Sequence, residues 1–126
     1  ALAPSAILNR SRQDYETPKE MSKEEIKEVI NEFVHSAKLL KEAGIDGIEI
    51  HSANGYLIDQ FLRDGTNTRT DEYGGSIENR SRFFLEILDE VIKIFGANRV
   101  GCKLTPIERY NDMFNSNTKA LMDHLL

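Results

Sequence analysis

The sequence predicts the α/β class, as a segment of a (β/α)8 TIM barrel that holds about two strands with their helices. Three observations carry this. Two short apolar runs, "IDGIEIH" and "RVGCKLTP", each follow a long stretch with apolar residues at helical spacing. One long helix between successive strands implies a parallel sheet with helices outside it. Two parallel strands alone cannot bury both of their faces, as such sheets normally do. The 126 residues are also only half of the roughly 250 that a whole barrel needs.

Each element has its own local signal. Residues 1–21 read as loop, because Pro4, Pro18 and the polar middle "NRSRQDYETP" show no period. Ser22 followed by Glu25 forms a capping box that starts a helix. Ile26, Val29, Ile30, Phe33, Val34, Ala37 and Leu40 form its apolar face, and Gly44 is the natural stop. Residues 46–51 read as the first strand, too short and Ile-rich for a helix. A short helical piece, "GYLIDQFLR", leads into a loop marked by Asp64-Gly65 and Gly74-Gly75. Ser76 caps a second long helix whose core side is Phe84, Ile87, Leu88, Val91, Ile92 and Phe95, closed by Gly96. "RVGCKLTP" is the second strand, ended by Pro106, and after polar loop 107–116 "NTKALMDHLL" starts another helix. No internal repeat and no low-complexity segment stands out.

Bulk properties narrow the function classes. The formal net charge is -5 and the pI is about 5.2. An acidic surface argues against nucleic acid and anionic membrane as partners. No apolar run reaches the roughly 20 residues of a membrane span. The N-terminus, "ALAPSAILNR", lacks the pattern of a signal peptide and an initiator Met, and it reads as cut from something longer. Cys102 is the single cysteine, which excludes an intrachain disulfide or a cysteine zinc cluster and fits a reducing, cytoplasmic compartment.

Active-site residues of a barrel gather at the C-terminal ends of its strands, and "HSANGY" stands there. His51 can donate through a ring N–H, and Asn54 through its amide. The three-residue spacing puts both on one side of a turn or helix. Two converging donors suit a developing oxyanion, each contributing about 3 kcal/mol to transition-state stabilisation. Tyr56 carries a phenolic proton that it could deliver to a carbanion. The alternative is a polar turn, since Asn-Gly tolerates left-handed backbone and often ends a strand. Spacing alone leaves both readings open. Strand alternation places Glu49 and His51 on one face, with Gly101, Lys103 and Thr105 on the matching face of the second strand. These polar faces are expected to point into the barrel. Lys103 there is either the partner of Glu49 in an ion pair or a cation facing an anionic cofactor edge. The charge-rich "RTDEYGGSIENRSR" lacks phosphate-loop spacing and is expected to fix a loop. His35 reads as structural and Cys102 as core, nothing converges on His124 near the chain end, and no cluster has metal-ligand spacing.

The run "EAGIDGIEIHSANGYLIDQFLRDGTNTRTDEYGGSIENRSRFFLEILDEVI" resembles the old yellow enzyme family of FMN-dependent ene-reductases, in particular its 12-oxophytodienoate reductase-like members. The likeness continues through "RVGCKLTP" and "YNDM" and back through "TPKEMSKEEI" and "APSAI", nearly the whole chain. H-x-x-N-x-Y within "HSANGYLIDQFL", followed by "NTRTDEYGGSIENR", is long and specific.

The resemblance implies that residues 1–126 are a partial FMN-binding TIM-barrel domain, with its N- and C-terminal parts absent. Such enzymes take hydride from NADPH or NADH onto FMN and pass it to the β-carbon of α,β-unsaturated aldehydes, ketones or nitro compounds. It implies that His51 and Asn54 bind the substrate oxygen, that Tyr56 protonates the α-carbon, and that Tyr110 lies near the substrate. Lys103 stands where the family usually has a flavin-contacting arginine. Lysine keeps the charge but loses the planar fork of donors. A second departure is Ile107-Glu108, where an aromatic–glycine pair is common. The competing expectation is a non-catalytic truncated fragment that does not bind FMN on its own.

Overall fold

Ser22 sets the first boundary of the main body. In the computed structural model, which describes residues 1–106 and 110–126, its hydroxyl accepts from the Glu25 N–H at 3.1 Å, and the Glu25 carboxylate accepts from the Ser22 N–H at 2.8 Å. Two of the orphan donors at the helix start are thereby satisfied. Helix α1 then runs Lys23–Glu42 and buries Ile26, Ile30 and Ala37. Gly44, at φ 83°, ends it in left-handed backbone. The Gly44 N–H donates to the Lys41 carbonyl and the Ile45 N–H to the Leu40 carbonyl, the two bonds of a Schellman cap.

Strand β1 (Ile48–Ser52) pairs in parallel with β2 (Val100–Leu104), in the register Ile48↔Val100 through His51↔Lys103 to Ser52↔Leu104. Between them lie α2 (Leu57–Leu62) and α3 (Ile77–Phe95), and α4 (Thr118–Leu125) follows. The order is the expected α–β–α–α–β–α. Strand β1 begins two residues later than the apolar run suggests and extends through Ser52. A 3-10 turn, Ala97–Arg99, leads into β2.

Alternation along the strands behaves as expected. Ile50 and Ser52 are buried against the helices, while Glu49, His51, Gly101 and Lys103 are exposed on the other face. Helices α1 and α3 pack side by side, and α3 also packs on α2. The core joins Ile26 and Ile30 of α1, Ile50 of β1, Phe61 of α2, and Phe83, Ile87 and Val91 of α3. Phe61 and Phe83 are fully buried, their ring centroids 4.3 Å apart. Each such side chain contributes about 1.5–3 kcal/mol by leaving water.

Two parts of the chain carry structure beyond their periodicity. Residues 1–21 contain a two-residue parallel pair, Leu2–Ala3 with Lys19–Glu20, where a loop is expected. Two residues show no period, and this pair is held from outside. The buried Arg69 guanidinium donates to the Pro4 carbonyl at 2.9 Å and the Met21 carbonyl at 2.6 Å, and it pairs with Asp71 at 2.6 Å. The loop before α3 is fixed by its charged and amide groups, as its composition suggests. Asn67 donates to the Phe61 and Tyr73 carbonyls at 2.7 and 2.8 Å, and Arg80 donates to the Leu62 carbonyl at 3.0 Å. Burial, reinforced by Glu86, pushes the Tyr73 phenol up to about 12. The Ile107-Glu108 departure lies outside the described residues. Among the described residues no helix is long and apolar enough to cross a membrane.

Candidate active site

The chain leaves β1 through a tight left-handed turn. Asn54 (φ 59°) and Gly55 (φ 75°) both have positive φ, and the Tyr56 N–H donates to the Ala53 carbonyl at 3.3 Å. Those are the marks of a type I′ turn, which Asn-Gly favours. A second turn of the same hand, with Asn111 (φ 56°) and Asp112 (φ 61°) at its centre, lies against the first. A Cβ on Gly55 would stand 2.7 Å from the Asn111 Cβ and 2.9 Å from the Met113 Cγ. Glycine therefore serves twice here, for the backbone angle and for the close approach.

Every backbone polar group of Asn54 and Gly55 is met by a side chain. The Asn54 N–H donates to the Thr105 hydroxyl at 3.1 Å, and the Asn54 carbonyl accepts from the Asn111 amide at 2.8 Å. The Gly55 N–H donates to Asp59 at 2.9 Å, and its carbonyl accepts from Gln60 at 2.8 Å. Asp59 forms a buried ion pair with Arg63, one turn on, at 2.7 Å. Arg63 in turn donates to the Thr105 carbonyl. The ends of two neighbouring strands are thus tied through one helix. Such a buried network holds a rigid geometry when all its members are satisfied.

On this frame sit the candidate residues. The parallel register places His51 beside Lys103 on the open face of the sheet. The His51 and Tyr56 rings lie 5.2 Å apart, tilted by 49°. Tyr56 opens α2 without capping it through its side chain, and its ring is half-exposed. The Asn54 side-chain oxygen accepts from the Thr105 hydroxyl at 3.0 Å. Among the described residues, neither the His51 ring nitrogens nor the Asn54 NH2 has a hydrogen-bond partner. Both donors are available to a ligand. Tyr110 starts the second turn, its carbonyl 3.3 Å from where a Gly55 Cβ would stand, and its side chain is half-exposed. Four candidates therefore cluster around one turn, and Lys103 adjoins them on the sheet.

Lys103 and Glu49 share the exposed face of the sheet. Among the described residues no ion pair joins the two. Lys103 and Gly101, which has no side chain, leave an open floor with a cation at its edge. Cys102 points to the helix layer, and burial pushes its thiol up, with Glu49 adding to the effect. A thiol so placed is a poor nucleophile. Among the described residues no group of three or more His, Cys, Asp or Glu converges as a metal site.

A cavity of about 470 Å³ opens beside the turn. Tyr56, Gln60 and Asn111 line one side, and Ile7, Leu8 and Tyr15 of the N-terminal segment line the other. That volume suits a small organic ligand. His51, Asn54, Lys103 and Tyr110 lie outside its lining, so of the candidate residues Tyr56 is the one that faces it. The sequence carries no signal for Asp59, Arg63 and Asn111 as supporting residues. An i,i+4 Asp–Arg spacing on α2 was the nearest available hint for the first two.

Comparison with known proteins finds relatives along nearly the whole chain. The chain is 46% identical over 123 residues to a probable flavin mononucleotide-dependent alkene reductase of Leishmania infantum, covering 98% of the chain and 34% of that protein. It is 46% identical over 112 residues to 12-oxophytodienoate reductase 1 of Oryza sativa subsp. japonica, covering 89% of the chain and 30% of that protein. The solved structure of morphinone reductase superposes on 98% of the chain and 37% of its own length, with a TM-score of 0.94 at 37% identity. An old yellow enzyme homologue from Zymomonas mobilis gives 0.89 at 34% identity, over 96% of the chain and 36% of its own length. The chain thus spans about a third of the length of the relatives it matches, and its two parallel strands with their helices are a segment of their (β/α)8 barrel. The match to the family model runs from residue 2 to residue 124, and the chain belongs to the NADH:flavin oxidoreductase / NADH oxidase family.

Proposed function

We propose that this chain carries the oxyanion-binding and proton-donating part of an FMN-dependent ene-reductase that consumes NADPH or NADH and reduces α,β-unsaturated carbonyl or nitro compounds. The observation that carries the reading is a pair of unspent donors, on His51 and Asn54, beside the Tyr56 phenol on one rigid turn. The names of relatives support it: one is named a probable flavin mononucleotide-dependent alkene reductase, and morphinone reductase has been solved with tetrahydroNAD, a nicotinamide compound.

The open floor at Gly101 and Lys103 fits the edge of a flat, anionic cofactor. Lys103 would hold that edge. When bound, FMN supplies the hydride that reaches the alkene β-carbon. The residues of this chain do the rest. His51 donates a ring N–H, and Asn54 an amide N–H, to the carbonyl or nitro oxygen. They polarise the alkene and stabilise the enolate, each by about 3 kcal/mol. Tyr56 delivers its phenolic proton to the α-carbon, which completes the addition of H⁻ and H⁺ across the double bond. Half-exposed as it is, Tyr56 regains the proton from solvent. The adjoining cavity gives room for the substituents of the substrate, and Tyr110 contributes to the substrate surroundings.

The test is reduction of cyclohex-2-enone by the intact, FMN-loaded protein under NADPH and under NADH. His51→Ala is expected to raise KM and to lower kcat/KM by about a hundredfold. Equal kcat/KM in the two proteins would remove the oxyanion reading.

A further inference from the structure

The Asn54 amide has two nearly isosteric ends. Only the NH2 end can donate to a substrate oxygen. Turned by 180°, the amide would present its own oxygen to that atom, and the two lone-pair-bearing groups would repel. Something must fix the orientation. Thr105, the first residue after β2, is placed to do so.

Its hydroxyl accepts from the Asn54 N–H at 3.1 Å. It has one proton to give, and it donates it to the Asn54 side-chain oxygen at 3.0 Å. A turned amide could still donate to the second lone pair of the hydroxyl, but it would leave the hydroxyl proton without this acceptor; the observed orientation uses that proton and leaves the NH2 facing away from Thr105. Thr105 does not move freely itself. Its carbonyl accepts from Arg63, Arg63 is paired with Asp59 at 2.7 Å, and Asp59 accepts from the Gly55 N–H at 2.9 Å. The circuit closes on the residue next to Asn54.

We propose that Thr105 is a positioning residue, whose hydroxyl holds the Asn54 amide with its NH2 group toward the substrate oxygen. The inference rests on the reading of Asn54 as an oxyanion donor. Thr105 acts through Asn54 and touches no substrate. The Asp59–Arg63 pair transmits the placement of α2 to Thr105.

The experiment is binding of 4-nitrophenol to the intact, FMN-loaded protein without NAD(P)H. The bound phenolate is a stable oxyanion, and its colour reports its own ionisation. Asn54→Ala is expected to weaken phenolate binding about tenfold, the loss of one hydrogen bond to a charged group. Thr105→Val is expected to weaken it to a similar extent, and Thr105→Ser to restore it. Asn54→Ala/Thr105→Val should bind no worse than Asn54→Ala alone, because Thr105 has nothing left to orient. Wild-type binding by Asn54→Ala would overturn the donor reading itself. Weak binding by Asn54→Ala with wild-type binding by Thr105→Val would overturn the positioning role alone. So would losses that multiply in the double variant, since they would mean that Thr105 acts on something other than Asn54.

Discussion

Arg63→Met removes the cation from the buried pair that ties α2 to the strand ends. Both side chains of the pair are only 4% exposed, so water cannot replace the lost partner. The Asp59 carboxylate keeps the Gly55 N–H but loses its cation. The Thr105 carbonyl loses a donor as well. Breaking a buried pair from one side costs about 3–5 kcal/mol. Methionine refills much of the volume, so little of that loss is a cavity term. The urea slope of a protein about three times this length exceeds the roughly 1–3 kcal/mol per molar of small domains, so the unfolding midpoint of the intact protein should fall by about 0.5–1 M. Asp59→Leu/Arg63→Met should recover part of the loss, because no buried charge is left alone. A fall in stability below about 1 kcal/mol for Arg63→Met would refute the argument, and so would a double variant as weak as the sum of the singles. Either would mean that solvent reaches the pair.

Three further outcomes follow from the same contacts. Gly55→Ala places a Cβ 2.7 Å from the Asn111 Cβ at φ 75°, and strain plus overlap should cost about 2–4 kcal/mol; a melting temperature within a degree of wild type would contradict this. Tyr73 is pushed up to about 12 by burial and then by Glu86, while the unfolded phenol ionises near 10. Its contribution is therefore full below pH 10 and lost as pH rises toward 12, on the order of 2 kcal/mol. Urea titrations of wild type and Tyr73→Phe across that window should converge, and parallel curves would exclude Tyr73 as the cause. Lys103→Arg restores a planar fork of donors at the cofactor edge, so FMN affinity or reduction potential in the intact protein should shift; if neither changes, Lys103 does not contact the flavin.

The helices and strands were legible because their signals are local. Ser22 with Glu25, Gly44 and the alternating Ile48–Ser52 stretch each declare an element within a few residues. The pair at Leu2–Ala3 and Lys19–Glu20 was not legible, because its cause is Arg69, about fifty residues further on. Phe83 was missed beside Phe84 because α2 covers a wider arc of α3 than one helical stripe. The site divides in the same way. "HSANGY" offered both a turn and a donor set, and the observed turn is compatible with either reading. The left-handed Asn54 that ends the strand keeps its NH2 unspent. Of its supports, Thr105 and Asn111 reach it through tertiary contacts that no spacing rule announces, and only the i,i+4 spacing of Asp59 and Arg63 hints at the pair.

The central claim is that this turn supplies both the oxyanion donors and the proton. The most direct test is stopped-flow absorbance of the intact, FMN-loaded protein, comparing wild type with Tyr56→Phe in two half-reactions. The account predicts that the half-reaction with NADPH is unchanged, while the half-reaction with cyclohex-2-enone slows by about a hundredfold or more. Equal rates with the enone in the two proteins would show that the proton comes from elsewhere and would contradict the account.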